Sequence, residues 1–110
     1  MNKEIEAKLK TIADHYGFTS QANMLTEEAA EFTVALNKLR RGYTQFYEQI
    51  KEEVADNLVI ALQLRYLLGA EEIDHIMNEK ADRQLIRIQT EKGSYKERIE
   101  AQMEVSSHDA

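Results

Sequence analysis

Apolar residues recur at three- and four-residue spacing along most of this chain, and nowhere do they alternate as in a strand. The helical pattern is punctuated by glycine. Gly17, Gly42, Gly69 and Gly93 each come after a periodic stretch, where a helix commonly ends on a residue with positive φ. Arg40 and Arg41 before Gly42, and Lys92 before Gly93, put cations at the negative ends of the helix dipoles. Thr19 or Ser20 is placed to cap a second helix, and Thr44 a third. The spacing predicts helices over residues 3–16, 20–41, 44–68 and 71–91. Ser94-x-x-Glu97 has the form of a capping box and would open a short C-terminal helix up to about Met103. Long helices joined by short connections become antiparallel neighbours, so the expected architecture is an all-α, four-helix antiparallel bundle. It forms one domain, residues 1–104, with a disordered tail at 105–110.

The third predicted helix points beyond a single chain. At about 100° per residue, Val54, Leu58, Val59, Ile60, Leu62, Leu64, Leu67 and Leu68 cover almost its whole circumference. A helix apolar all round is buried all round, and a small bundle cannot easily enclose one of its own helices. A second copy of the chain is expected to cover one side.

Composition narrows the class. The 110 residues suit one small domain, and a domain of this size buries only about two-thirds of its unfolded surface. The chain has no Pro, no Trp and no Cys. That excludes disulfides and thiolate metal sites and fits a reducing, cytoplasmic setting. A formal net charge of -6 argues against binding along a nucleic-acid polymer. The N-terminal MNKEIEAKLK lacks the apolar centre of a signal peptide. The most apolar run, Val54 to Leu68, is broken by Asp56, Asn57, Gln63 and Arg65, so no membrane association is expected.

Two acidic clusters carry the candidate chemistry: Glu27, Glu28 and Glu31 in T-E-E-A-A-E-F, then Glu53 and Asp56 in E-E-V-A-D-N-L. Projected on its helix, Glu28 falls near the middle of the apolar arc of Met24, Leu25, Phe32, Ala35, Leu36 and Leu39, with Glu31 at the edge and Glu27 toward solvent. Glu53 and Asp56 share a sector with Ile60, Leu64 and Leu67. Each pair is spaced i, i+3 and so lies on one face, one turn apart. If the two helices face each other, four carboxylates converge. They must then protonate or hold a divalent cation with their oxygens. Either cluster alone would pass for a solvated helix face. Asp56 tips the balance, because it is a poor helix former set beside Asn57 in an apolar stretch.

The fourth helix supplies the opposite charge. Lys80 and Gln84 project within its apolar arc of Ile73, Ile76, Met77, Leu85 and Ile88, with Arg83 just beyond the edge. Lys80 and Arg83 are candidates to contact metal-bound phosphates. The plainer alternative is that Lys80 snorkels to water and Arg83 pairs with surface acids. Gln21, two turns before Glu28 on the same side, either binds substrate or packs between helices.

With E-E-A-A-E at 27–31, E-V-A-D at 53–56 and K-A-D-R-Q downstream, the chain resembles the MazG-like, all-α nucleoside triphosphate pyrophosphohydrolases over residues 20–90. The resemblance implies a homodimer or homotetramer that uses Mg2+ or Mn2+. It also implies hydrolysis of a nucleoside triphosphate, NTP or dNTP, between the α and β phosphates, giving the monophosphate and pyrophosphate. By motif, Glu28, Glu31, Glu53 and Asp56 would be metal ligands. Glu27 and Glu28 would be catalytic, Glu27 as an auxiliary acid that orients or activates water. Lys80, Arg83 and Gln21 would bind substrate.

Three other readings compete. A non-enzymatic helical dimerisation or regulatory module would carry the same acids on its surface. A phosphoribosyl-ATP pyrophosphohydrolase would share the resemblance and differ in substrate. A redox di-metal bundle needs Glu-x-x-His on two helices. This chain offers that spacing at Glu72–His75 alone, outside both acidic clusters.

Overall fold

A computed structural model of the chain describes residues 1–109, with side chains at all of these except 92–96, 98 and 104–109. The protein is all-α, and no strand occurs among the described residues. The chain divides into two compact units, Met1–Ala70 and Glu71–Ala110.

The first unit holds α1 (Lys3–Arg40), a 3₁₀ turn (Thr44–Phe46) and α2 (Tyr47–Leu68). Asn2 starts α1, its Oδ1 accepting the Ile5 N–H at 2.8 Å. This satisfies one of the amides that a helix start leaves open. The expected break between two helices is present as a kink. Gly17, at φ 82° and ψ 173°, leaves helical geometry inside α1. An L side chain rarely adopts that φ, so the kink needs glycine. The helix resumes at once at Phe18, and no separate cap forms at Thr19 or Ser20.

Gly42, at φ 98°, ends α1 as expected. Its N–H donates to Leu39 O at 3.0 Å and the Tyr43 N–H to Lys38 O at 3.1 Å. This is the paired bonding of a Schellman motif, and it turns the chain back sharply. The expected third helix begins slightly late: Thr44–Phe46 is a 3₁₀ turn and the α-helix proper starts at Tyr47.

The part of α1 after the kink runs antiparallel to α2. Gln21 meets Gln63, Glu28 meets Asn57, and Lys38 meets Phe46. The part before the kink meets the far end of α2, where Tyr66 donates to Asp14 and Lys10 lies over the Tyr66 ring. The apolar core of the described residues is slight: Leu9, Ala13, Ala35 and Ile60 are buried. Val54, Leu58, Val59 and Leu68 of α2 are exposed in the single chain. Packing against α1 therefore leaves these apolar residues of α2 uncovered within the first unit.

The second unit is α3 (Ala70–Asp109, its first residue contributed from the first unit). It corrects three expectations. The helix does not stop near Glu91, no second helix opens after Gly93, and the segment expected as a disordered tail is helical as far as Asp109. The capping box at Ser94 lies outside the described side chains. Glycine inside a helix costs only about 1 kcal/mol relative to alanine. With no proline nearby and strong helix formers after it, Gly93 is not a stop. Among the described residues no helix is long and apolar enough to cross a membrane.

Candidate metal-binding site

The antiparallel register of α1 and α2 builds the site. Gln21 and Gln63 are both buried, and Gln21 Nε2 donates to Gln63 Oε1 at 2.7 Å. Two turns further along α1 comes Glu28, and two turns back along α2 comes Asp56. Between them Asn57 ties the helices together. Its Nδ2 donates to Glu53 O within α2 at 2.7 Å and to Glu28 O of α1 at 3.3 Å.

The result is a cluster of Glu28, Glu53 and Asp56, whose nearest carboxylate oxygens all lie within 4.8 Å of one another. Glu53 is buried, Glu28 half-buried and Asp56 exposed. Glu28 Oε2 and Glu53 Oε2 are both shut off from solvent and have no hydrogen-bond partner. Buried carboxylate oxygens without donors are costly. The Glu28 carboxyl accordingly holds its proton above the usual carboxylate range. Loss of water is the main cause, then the negative charges of Glu31, Asp56, Glu53 and Glu27.

The donor set suits a hard divalent cation: three carboxylates from two rigid helices, on one small volume, with one open side at Asp56. A cation there would supply the charge and the coordination that the orphaned oxygens of Glu28 and Glu53 lack. Glu31, the fourth expected ligand, is exposed and outside this tight group, though near enough for its charge to act on Glu28. Glu27 is exposed and exerts the weakest of those influences.

The remaining candidates are not members of this group. Gln21 is buried with its amide nitrogen bonded to Gln63, which places it in the helix interface. Lys80 and Arg83 are exposed on α3 in the second unit, one turn apart. His75 pairs with Glu79 at 3.1 Å on the same helix and belongs to no group of possible metal ligands among the described residues.

Sequence reasoning did not single out Asn57 as the residue that joins the helices at the site. The signal was present: an amide one turn after Glu53, next to Asp56, in a stretch otherwise apolar. It also missed a groove of about 340 Å³ that shares Glu31 and Glu53 with the acidic site. Ala30, Val34 and Ala35 wall it, and Lys38, Phe46 and Gln49 continue it away from the carboxylates. No family model, curated protein or solved structure matches the chain.

Proposed function

We propose that the protein is a metal-dependent nucleoside triphosphate pyrophosphohydrolase of the MazG-like kind. The observation that carries this reading is the triad of Glu28, Glu53 and Asp56 with two buried, unbonded carboxylate oxygens. An acidic helix face in water needs no partner, but carboxylates deprived of water do. The acidic motifs of the sequence, E-E-A-A-E and E-V-A-D, support the same reaction by resemblance.

Glu28, Glu53 and Asp56 would hold Mg2+ or Mn2+, with Glu31 completing the set from the edge of the groove. A cation held there would supply positive charge to offset that of the triphosphate and of the leaving pyrophosphate. Glu27, exposed beside Glu28, would orient a water and accept its proton as that water adds to the α-phosphorus. The bridging bond to the β-phosphate breaks, and its electron pair leaves with pyrophosphate. The products are the nucleoside monophosphate and pyrophosphate. Positioning and electrostatics do the work in such a transfer, and no covalent intermediate on the protein is required. Lys80 and Arg83 would bind phosphate oxygens, and Gln21 would serve packing in place of substrate contact.

The reading includes a four-helix bundle assembled as a homodimer or homotetramer, working in the cytoplasm. The exposed Val54, Leu58, Val59 and Leu68 of α2 support the assembly, because a helix that apolar is stable only when covered. The same surface favours the second reading, a non-enzymatic helical dimerisation module. The two separate on metal. Mn2+ raises the melting temperature of the pyrophosphohydrolase through binding to the folded state, and leaves that of the module unchanged. Glu28→Gln and Asp56→Asn each abolish metal-dependent pyrophosphate release while the helical circular dichroism persists. Full activity in either variant contradicts the assignment. Screening NTPs, dNTPs and phosphoribosyl-ATP separates the pyrophosphohydrolase types.

A further inference from the structure

The Asn57 side chain stands half-buried between α1 and α2 at the level of the acidic cluster. An amide nitrogen has two hydrogens to donate. Asn57 directs one to Glu53 O, 2.7 Å away in its own helix, and the other to Glu28 O, 3.3 Å away in α1. Both acceptors are backbone carbonyls of residues whose carboxylates form the cluster. Two other side-chain bonds cross between these helices, from Gln21 to Gln63 and from Tyr66 to Asp14. They lie six and nine residues further along α2, about 9 and 13 Å away along its axis. Of these three, the Asn57 bond crosses at the cluster itself. The carboxylates there repel one another when ionised, and that repulsion pushes the helices apart at this level. Asn57 opposes it through the backbone, while Glu28 Oε2 and Glu53 Oε2 remain without a donor.

We infer that Asn57 is a positioning residue for the metal ligands. Its cross-helix bond fixes the gap between the Glu28 and Glu53 backbones, so their oxygens are held ready before a cation arrives. This role presupposes the proposed reading of the cluster as a metal site. Binding is tighter where the ligand geometry is set in advance, because less ordering is left to the binding step. The bond inside α2 is not the one that matters. A hydroxyl in a helix reaches the carbonyl four residues back, as those of Thr26 and Thr33 do in α1. A serine at position 57 would make that bond and fall short of α1. The plainer account is a satisfied interface amide, which contributes to stability and leaves metal affinity alone.

The test titrates Mn2+ alone into the wild-type protein, Asn57→Ser, Asn57→Leu and Tyr66→Phe, reading free Mn2+ by electron paramagnetic resonance. Each protein is held well below its own melting temperature, with its helical content checked by circular dichroism. Tyr66→Phe removes a side-chain bond between the same two helices at the far end of α2, and so controls for general loosening. Asn57→Ser and Asn57→Leu weaken Mn2+ affinity alike, about tenfold, the worth of one net hydrogen bond. Tyr66→Phe binds Mn2+ as the wild type does. Wild-type affinity in both Asn57 variants overturns the positioning role. Wild-type affinity in Asn57→Ser alone overturns it as well, because the bond within α2 then suffices. An equal loss in Tyr66→Phe also overturns it, since any loosening of the helix pair would then do the same. If the wild-type protein binds no Mn2+, the metal reading fails and the positioning role with it. If the affinities fall as expected but no triphosphate is cleaved, the hydrolase reading fails and the positioning role stands.

Discussion

Gln21 and Gln63 face each other across α1 and α2, buried and joined by a 2.7 Å hydrogen bond, and this pairing sets the register that brings Glu28 to Asp56. Gln63 Nε2 also donates to Val59 O, so the amide is held from both sides. A slip of one turn would leave both amides without partners in an apolar interface. The pair therefore acts at a distance of two turns on a site it does not touch.

Replacing one member tests that relationship. Gln63→Leu leaves the Gln21 amide buried and unpaired, which costs about 1–3 kcal/mol. The double variant Gln21→Leu, Gln63→Leu recovers much of that loss, because two apolar side chains can replace a buried polar pair. Urea unfolding midpoints measure both. In the double variant the metal response weakens as the register loosens, even though stability returns.

Glu28 is expected to trade stability for function. Glu28→Gln removes a charge that lies near four other carboxylates with little water to stabilise it. The metal-free variant melts at a higher temperature than the wild type, and Mn2+ no longer raises it. Stability and binding in conflict at one residue is the usual mark of a functional site. Thermal melts with and without Mn2+ check both halves.

The proton on Glu28 gives a pH dependence of known sign. Its folded-state pKa is raised above the ordinary 4.5. The stability this proton confers is fully present below the ordinary value and is lost as pH rises through the folded one. The metal-free protein therefore weakens over that window. Mn2+ competes with the same proton, so its affinity rises over the same interval and levels off above it. Calorimetry at several pH values records the proton release.

A second titration lies at the other end of α2. Tyr66 donates to both oxygens of Asp14, at 2.9 and 3.1 Å. That bond, with burial and the Asp14 charge, raises the tyrosine above its ordinary 10.0. Its contribution is present below pH 10 and disappears as the phenol ionises above the raised value. Tyr66→Phe is less stable at neutral pH and lacks this alkaline loss. Melting curves across the alkaline range distinguish the two proteins.

Much of the fold was legible because glycine and helical periodicity are local signals. Gly17 and Gly42 were readable as breaks, and both carry the positive φ that makes them so. Gly93 was misread because a lone glycine costs a helix little when its neighbours favour helix. The convergence of Glu28, Glu53 and Asp56 came from i, i+3 spacing on two helices that had to face each other. The separation of Glu31 from that tight group was not legible, since it lies at the edge of the arc, where small rotations decide. Gln63 looked like a mere interruption of an apolar run. Its role depends on Gln21, 42 positions away in sequence, and only the tertiary register reveals it.

The apolar surface of α2 gives a prediction about assembly. Leu58 is 54% exposed in the single chain. If a second copy covers it, Leu58→Glu places a charge in the interface and shifts the protein toward monomer. Sedimentation equilibrium shows the shift directly, and an unchanged mass places the interface elsewhere.

Phosphorus NMR of a nucleoside triphosphate panel, incubated with the wild-type protein and Mg2+ or Mn2+, tests the proposed reaction at its products. Monophosphate and pyrophosphate are expected in equal amounts, formed only with the metal and absent in Glu28→Gln. Diphosphate and inorganic phosphate as products, cleavage without metal, or no cleavage of any triphosphate would contradict the proposed reaction.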